Sequence, residues 1–366
     1  MANTYFVCSM NGRPVEFDVA QDRPVPDMEF AYFIRGFRIL ERTHEFDGYT
    51  VCFTWGSTTP LPRLGERVVA VVTGDEHCRV PAYAGAVGAV MKSHGLFPNF
   101  VPRRRPLRLV QIEAAEFLRN LALWAPTGWR WLASERVRRR CHLLPLGYGM
   151  ARDIAPVEFG QRRYITSFLG SVGRVSKKHP IRALVGTPKS YIRSTVVDVL
   201  EGIQRRYGSA RVRLALTPSF QDSLAEGGDL FAEVMADTQI CIAPRGTAQE
   251  TLRICEGFKA GCVVIADKLP RHPFYEGSPI LEIEDWRDLP DMVDELLRDP
   301  AKMQDLHERG VRYWHDVLSE AALARRYAEI LGLSERAESA PGADDGRLAA
   351  PACTGRSVAR EEDAVT

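Results

Sequence analysis

The chain contains 366 residues, which is enough for two domains of ordinary size. Its hydrophobic content of 45% and its charged content of 26% are typical of a globular protein. The formal net charge is only +1, so the composition as a whole indicates no general electrostatic affinity for nucleic acids or anionic membranes.

Basic residues cluster locally at 103–105 and within 136–140, and we interpret both runs as solvated loop or helix-face arginines. Segment 1–19 lacks a basic stretch followed by an apolar one, so we expect no secretory signal. No window approaches the ~18 uninterrupted apolar residues of a transmembrane helix. The eight cysteines are scattered without a CxxC pair, which favours a reducing, cytoplasmic location and argues against a zinc site.

Residues 1–150 read as alternating strands and helices, and we expect them to form one domain. The apolar runs predict strands beginning near residue 5 and at 49–55, 67–76, 87–95 and 141–149, and helical spacing predicts helices at 28–42 and 111–124. The segment 151–163 has the composition of a linker.

A second domain is expected over 164–300, followed by helices over 301–333 and a disordered tail over 334–366. Its strands are predicted at 164–171, 211–217, 238–244 and 262–267, and its helices at 194–208, 223–237, 247–261, 289–299 and, beyond the domain, 301–331. Continuous apolar strands separated by helices are typical of parallel sheets covered on both faces. The sequence therefore predicts an α/β protein with two doubly wound, Rossmann-like domains that face a central cleft.

The stretch CIAPRGTAQETLRICEGFKAGCVVIAD, residues 241–267, places charged residues around a strand–helix joint. Ligands of open α/β sheets bind at the carboxyl ends of the strands. Here Arg245 and Gly246 follow a strand, and Thr247 with Glu250 has the spacing of a capping box at the start of a helix. The amino end of that helix and Arg245 would suit an anion such as a diphosphate. Glu250 as a simple capping residue is the alternative.

Arg253 and Glu256 lie further along the same expected helix. Arg253 would add a second charge-assisted bond to phosphate, and the Glu256 carboxylate would accept hydrogen bonds from ribose hydroxyls. The alternative is a local surface pair at i, i+3, which is worth only a few tenths of a kcal/mol.

The pattern Arg253-Ile-Cys-Glu256-Gly-Phe-Lys-Ala-Gly-Cys-Val-Val, preceded by a strand and Pro-Arg-Gly, resembles the C-terminal domain of exostosin-like glycosyltransferases. The resemblance is good over about 40 residues. It implies a two-domain GT-B-like architecture and a nucleotide-sugar donor, with Arg253 and Glu256 as its contacts and Arg245 as a further phosphate contact. Two positions depart from the family pattern: glycine follows Glu256, and valine stands in place of the proline after Cys262.

The sequence lacks two motifs of other glycosyltransferases. The retaining GT-B motif E-x7-E would need a glutamate where Ala248 stands, which favours the inverting, exostosin-type interpretation. An Asp-x-Asp motif is also missing, so we expect no metal and no other cofactor, with arginines and a helix dipole neutralising the leaving diphosphate.

An inverting transfer needs a base, and Asp75 or Glu76 after a buried strand of the first domain is the best candidate. Adjacent residues of an extended segment point apart, so only one of them can face the cleft. The alternatives are a solvated acidic turn in place of a base, or His94, His44 or Lys92 as a functional group.

Segment 167–174, which opens the second domain, carries Gly170, Ser171 and Arg174. The glycine would let the backbone approach the diphosphate, and the arginine would add charge.

These residues predict a glycosyltransferase that moves a sugar from a nucleotide-sugar donor to a hydroxyl of a glycan or small-molecule acceptor. Alternatives are a glycerol-phosphate-type phosphotransferase on a similar fold, and a non-catalytic nucleotide-binding module. No nucleic-acid partner is expected.

Overall fold

The structure is a computed structural model that describes residues 2–9, 13–20, 30–101, 103, 106–149, 153–171, 187–216 and 228–336. It contains two separate sheets, one of six strands and one of five, in successive parts of the chain. The prediction of two Rossmann-like α/β domains is therefore confirmed. Arg174, the first part of the helix expected at 223–237, and most of the expected tail lie outside the described residues.

The first domain is built around the six-stranded sheet. In chain order it contains β1 (Thr4–Cys8), β2 (Val15–Phe17), α1 (Ala31–Thr43), β3 (Thr50–Thr54), β4 (Gly65–Val72), β5 (Val87–Lys92), α2 (Leu107–Ala133), α3 (Glu135–Arg140) and β6 (Cys141–Leu143). The strand order is β2-β1-β3-β4-β5-β6, and every pair is parallel except β1 with β2. All of β3 and the last five residues of β4 are buried, which explains their continuous apolar sequences. The short elements β2 and α3 escaped prediction because neither contains a buried residue.

The second domain is built around the five-stranded sheet. It contains β7 (Tyr164–Gly170), α4 (Pro188–Tyr207), β8 (Val212–Leu216), α5 (Gly228–Ala236), β9 (Thr238–Ala243), α6 (Leu252–Lys259), β10 (Val263–Asp267), β11 (Leu281–Ile283) and α7 (Leu289–Arg298). The strands are all parallel, in the order β11-β10-β9-β7-β8. The chain first steps from β7 to β8 and then returns to the other side of β7 with β9. The strand order thus reverses between β7 and β9, and such switch points are where open α/β sheets bind ligands.

The helical segment expected at 301–331 is interrupted. It forms α8 (Pro300–Tyr313), a π-helical turn at Trp314–Leu318 and α9 (Glu320–Leu331). Ser319 ends the turn and caps α9, because its hydroxyl accepts a hydrogen bond from the Ala322 N–H at 3.2 Å.

Helix α9 returns to the first domain and packs on α1. The rings of Phe37 and Tyr327 stack with centroids 4.1 Å apart. A Cβ at Gly36 would lie 2.9 Å from the Leu323 side chain, so the absence of a side chain there permits the close approach of the two helices. The C-terminal helix therefore links the second domain back to the first.

The disordered tail was predicted to start too early. The Glu45 N–H donates to the Ser334 carbonyl at 2.9 Å, and the Arg336 N–H donates to the Thr43 carbonyl at 2.9 Å. Backbone hydrogen bonds to residues at the end of α1 hold Ser334 and Arg336 in place. Composition alone could not predict these bonds, because they join residues far apart in the sequence. Within the described part of the chain, every helix is too short or too polar to cross a lipid bilayer.

We predict that Tyr327→Ala lowers the free energy of unfolding by about 3–5 kcal/mol, because it removes a fully buried ring from the contact between α1 and α9. Urea denaturation followed by circular dichroism measures the loss. Arg325→Ala, at an exposed position of the same helix, is the control and should change stability by no more than about 0.5 kcal/mol. Equal losses in the two variants would contradict a stabilising role for this contact.

Candidate active site

Segments from both domains meet at one cavity. It is lined by residues that follow the carboxyl ends of β4, β5, β9 and β10, and by one face of α2. Glu76 and His94 come from the first domain, and Arg245, Thr247 and Glu250 from the second. Of the predicted site residues, Glu76, Arg245 and Thr247 line this cavity. Asp75, Gly170, Ser171, Gly246, Arg253 and Glu256 are described by the structure but do not line it.

Asp75 and Glu76 have different surroundings, and only Glu76 lines the cavity. Asp75 is buried inside the first domain, where it accepts hydrogen bonds from Lys92 Nζ at 3.0 Å and Arg79 Nε at 3.1 Å, and also from the Ser57 hydroxyl. Burial alone would raise the pKa of Asp75, but the Lys92 ammonium and the other partners outweigh it and lower the pKa to about 2. An ionised carboxylate with all these partners is a weak base, so the structure does not support Asp75 in that role.

Glu76 is the one of the two that lines the cavity. Burial raises its pKa above the ordinary value, and hydrogen bonding from the Thr247 side chain and the charge of Lys189 only partly oppose this. A carboxylate with a raised pKa is a better proton acceptor than Asp75.

Thr247 does not cap a helix. Helix α6 begins at Leu252 with Thr251 at its N-cap, and the Thr251 side chain makes no capping hydrogen bond. The capping box predicted for Thr247 and Glu250 is therefore wrong, because 246–250 form an irregular loop before the helix starts. Gly246 lies in this loop, and a Cβ added there would have no neighbouring atom closer than 3.8 Å, so packing does not require glycine at this position.

Arg245 is engaged by a carboxylate of the other domain. Its Nη1 lies 2.7 Å from Glu113 Oε1 on α2, and its Nη2 donates to the Thr247 carbonyl at 3.0 Å. Glu113 also pairs with Arg103 Nε at 3.0 Å, and Arg103 Nη2 lies 2.5 Å from Asp267 Oδ1 at the end of β10. All four side chains are buried. We call this set the interdomain charge network; within it the charge of Arg245 is already balanced.

Arg253 lies against the end of β7, where the sequence placed Gly170. Its Nη2 donates to the Leu169 carbonyl, and its guanidinium lies 4.6 Å from the centre of the Phe168 ring. A Cβ at Gly170, where φ is +154°, would lie only 2.5 Å from Arg253 Nη2, so glycine is required there. Among the described residues, the buried Nη1 of Arg253 has no hydrogen-bond partner.

Glu256 is buried, and its Oε1 accepts a hydrogen bond from the Gly149 N–H at 3.1 Å. Burial raises the pKa of Glu256, while the neighbouring Arg253 lowers it in part. Arg253 and Glu256 are therefore not a surface pair. The hydrogen bond ties Glu256 to the segment that crosses from the first domain to the second.

Two functional candidates, Lys189 and Arg193 on α4, were missed by sequence reasoning. Arg193 is buried and donates to the Ser171 carbonyl at 2.8 Å and to the Arg245 carbonyl at 3.2 Å, so it joins the loops that follow β7 and β9. Burial, and then the nearby positive charge of Arg253, lower the pKa of Arg193 to about 9. The pKa of Lys189 is lowered by burial and by Arg193. The sequence feature that could have indicated Lys189 and Arg193 is their position in the first two turns of α4, the helix that comes after β7 in the chain.

Lys189, Arg193 and Arg253 form what we call the cationic cluster. Among the described residues, no carboxylate lies within ion-pair distance of any of the three. They sit at the switch point between β7 and β9, and Glu76 on the other domain is the carboxylate that influences both Lys189 and Arg193. Positive groups that repel one another in a partly buried site favour an anionic ligand.

Glu250 and His94 provide uncharged polar groups in the same cavity. Burial raises the pKa of Glu250 to about 8, and its Oε2 has no partner among the described residues. Burial, with help from Lys92, lowers the pKa of His94 to about 4. Both groups are neutral at pH 7, which suits hydrogen bonding to hydroxyl groups better than binding of phosphate.

Two of the three alternative groups, Lys92 and His44, do not line the cavity. Lys92 is fully buried and bound to Asp75, and His44 is buried at the end of α1 next to Thr43. In the described ranges, no group of three or more His, Cys, Asp or Glu side chains is arranged to hold a metal ion.

No protein-family model matches this sequence, and no curated protein is significantly similar to it. Solved structures do match. TarM is 10% identical with a TM-score of 0.38, over 82% of this chain and 58% of the TarM chain, so this chain spans less than two thirds of TarM. HepE of Anabaena in complex with UDP is 12% identical with a TM-score of 0.37, over 81% of each chain. WaaG, a glycosyltransferase involved in lipopolysaccharide biosynthesis, is 12% identical with a TM-score of 0.37, over 84% of this chain and 97% of WaaG. Likenesses of this size carry no argument about activity, and the fold assignment depends on the two parallel sheets described above.

We predict that Asp75→Asn destabilises the protein by about 3–5 kcal/mol, because it leaves the Lys92 ammonium buried without its counter-charge. The double variant Asp75→Asn/Lys92→Met should lose about 1–3 kcal/mol less than the sum of the single losses. Urea denaturation of the wild type, both single variants and the double variant measures this coupling. Strictly additive losses would show that the pair is not coupled.

Proposed function

We propose that the protein is a glycosyltransferase that moves a sugar from a nucleotide-sugar donor to a hydroxyl acceptor in the cleft between its domains. The observation that carries the proposal is the cationic cluster at the switch point of the second sheet, where Arg193 donates to the Ser171 carbonyl and Arg253 to the Leu169 carbonyl. Glu76 of the first domain is near enough to raise the pKa of Lys189 and Arg193 in part. The matching structures include a glycosyltransferase and a complex with UDP, which agrees with the proposal without carrying it.

The donor diphosphate is assigned to Lys189, Arg193 and Arg253. Bonds from guanidinium groups to phosphate oxygens are among the strongest hydrogen bonds in proteins, and the free Nη1 of Arg253 offers one directly. Ser171 and Gly170 bring the β7 loop to the same place. Three cations can offset the charge of a leaving diphosphate, so we propose transfer without a metal ion, and activity should persist in EDTA.

The exostosin-like subtype is part of this proposal. It is supported by the R-x-x-E motif: Arg253 lies in the cationic cluster, and the Glu256 carboxylate partly offsets the lowering of the Arg253 pKa by burial. A ribose contact of Glu256 would use the carboxylate oxygen that is not bonded to the Gly149 N–H.

Glu76 is assigned as the base of a single-displacement reaction. As the acceptor oxygen bonds to the anomeric carbon, its proton passes to the Glu76 carboxylate and the bond between the anomeric carbon and the diphosphate oxygen breaks. The diphosphate leaves with both bonding electrons into the cationic cluster, and attack opposite the leaving group inverts the anomeric centre. Glu250 and His94, both neutral, would bind sugar hydroxyls.

We predict that replacing two glutamates of the same cavity by glutamine has different effects on kcat. Glu76→Gln should lower kcat by about 10²–10⁴-fold, because glutamine cannot accept the proton. Glu250→Gln should keep most of the rate, because Glu250 is protonated below its pKa of about 8 and glutamine has a similar shape and donor capacity. Release of nucleoside diphosphate from the donor, with acceptor or with water as acceptor, measures both rates.

The pH profile gives a second readout of the same pair. Wild-type activity should rise with pH as Glu76 ionises, at a pKa above the ordinary glutamate range, and fall above about pH 8 as Glu250 ionises. Glu250→Gln should lose the alkaline fall. A Glu76→Gln enzyme with full activity would exclude Glu76 as the base.

We predict that Lys189→Gln and Arg193→Gln each weaken binding of the cognate nucleoside diphosphate by about 10–100-fold, because each removes a charged partner of the diphosphate. Calorimetry and thermal shift with UDP, GDP, TDP and CMP identify the nucleotide and measure the affinity. Arg205→Gln, at an exposed position of the same helix, is the matched control and should bind normally.

Three outcomes would separate the possible functions. Binding of no nucleotide by the folded protein would exclude the proposed site. Binding without donor cleavage under any condition would indicate a non-catalytic nucleotide-binding module. Weakened binding in Arg205→Gln as well would show that the effect is not specific to the cationic cluster.

A further inference from the structure

Helix α2 carries an exposed apolar row on the side away from the cleft. Leu107, Leu118 and Trp129 are spaced by 11 residues, which is close to three helical turns, so their side chains lie almost in line. They are 70%, 63% and 57% exposed, and Leu132, one turn further along the same side, is 55% exposed. The exposed Ala122 and Ala125 continue this row without adding polar groups.

A basic row runs beside the apolar one. Each of the three apolar residues is followed directly by an arginine, at positions 108, 119 and 130, so the Leu-Arg or Trp-Arg pair recurs every 11 residues. The segment 107–140 contains seven arginines, three glutamates and no lysine or aspartate, which gives it a net charge of +4 in a chain whose total is +1. One of those glutamates, Glu113, is buried in the interdomain charge network.

The opposite face of α2 is already occupied. Leu109, Ile112 and Trp124 are buried in the protein, and Glu113 and Asn120 line the cavity. The apolar row therefore serves no packing purpose within the described chain, and a partner could cover it without displacing the inner face.

We propose that the outer face of α2 docks the protein on the surface of an anionic lipid bilayer. A helix with leucine and tryptophan in one row and arginines alongside is suited to lie at the boundary between acyl chains and anionic headgroups, with its axis in the plane of the membrane. Tryptophan favours that boundary because its ring is amphipathic. The helix lies on the membrane and does not span it, in keeping with its polar inner face.

Charge favours a lipid surface over a second copy of the chain. Pairing two copies through this face would bring two arginine rows together, and like charges across an interface oppose association. An anionic surface instead attracts the basic row and accepts the apolar one. The inference does not depend on the proposed enzymatic activity.

Co-sedimentation of the full-length protein with phosphatidylcholine vesicles, with and without phosphatidylglycerol, tests the proposal. We expect binding to the anionic vesicles that weakens as salt is added. Leu118→Gln/Trp129→Gln/Leu132→Gln should weaken this binding at least about 100-fold, since each buried large apolar side chain contributes roughly a factor of ten. Arg108→Gln/Arg130→Gln should weaken binding to anionic vesicles about tenfold or more and leave binding to neutral ones unchanged.

Leu64→Gln/Leu216→Gln is the matched control, because it changes two leucines that are 58% and 51% exposed elsewhere. It should bind like the wild type, and circular dichroism should show that every variant is folded. A folded wild type that does not bind anionic vesicles, or binding that survives the triple substitution, would overturn the proposal. A dimer in sedimentation velocity that the triple substitution dissociates would also overturn it, in favour of an interface between copies.

Discussion

The interdomain charge network sets the position of one domain against the other, and the cleft depends on it. Arg103 and Glu113 come from the first domain, whereas in the second domain Arg245 follows β9 and Asp267 is the last residue of the adjacent β10. Buried ion pairs add little net stability, because desolvation offsets their attraction, but leaving one partner unpaired costs about 3–5 kcal/mol. The network therefore disfavours every arrangement of the domains that separates its members. In the arrangement with both pairs formed, Glu76 of the first domain lies near enough to Lys189 and Arg193 of the second to influence their pKa values.

Two kinds of charge cluster can be distinguished in this molecule. In the first domain, Asp75 forms ion pairs with both Lys92 and Arg79, and these pairs help to lower the pKa of Asp75. At the switch point, Arg193 and Arg253 repel each other, and the pKa of Arg193 is lowered for that reason after burial. The paired charges around Asp75 stabilise the fold. The positive charges at the switch point repel one another, so binding of an anion there is favourable.

The sequence alone predicted the two-domain α/β fold and most of its strands, because buried parallel strands have continuous apolar sequences such as those of β3 and β4. It did not predict the three-residue strands β2 and β11. It also predicted that only one of Asp75 and Glu76 faces the cleft. The partner of Arg245 could not be predicted, because Glu113 is 132 residues away and only the packing of the domains brings them together. The same holds for Arg193, which reaches the predicted loops at Ser171 and Arg245 from a helix that local pattern does not mark as functional. The prediction of a helix start at Thr247 was wrong, because the capping-box spacing is present there but the helix begins at Leu252.

The division of labour among the arginines has a consequence for donor binding. Glu113 and the Thr247 carbonyl already occupy Nη1 and Nη2 of Arg245, and only its Nε is without a partner among the described residues. Turning the whole guanidinium toward a phosphate would break the pair with Glu113 and disturb Arg103 and Asp267. The cationic cluster of Lys189, Arg193 and Arg253 differs, because none of its residues is paired with a carboxylate among the described residues. Arg193 and Arg253 donate to backbone carbonyls, and Nη1 of Arg253 has no partner there. A diphosphate bound by these three residues relieves their mutual repulsion and leaves the interdomain network intact. Under the proposed function, the domains would not have to separate for the diphosphate to be neutralised. The same buried pairs would then hold Glu76 in place before and after the donor binds.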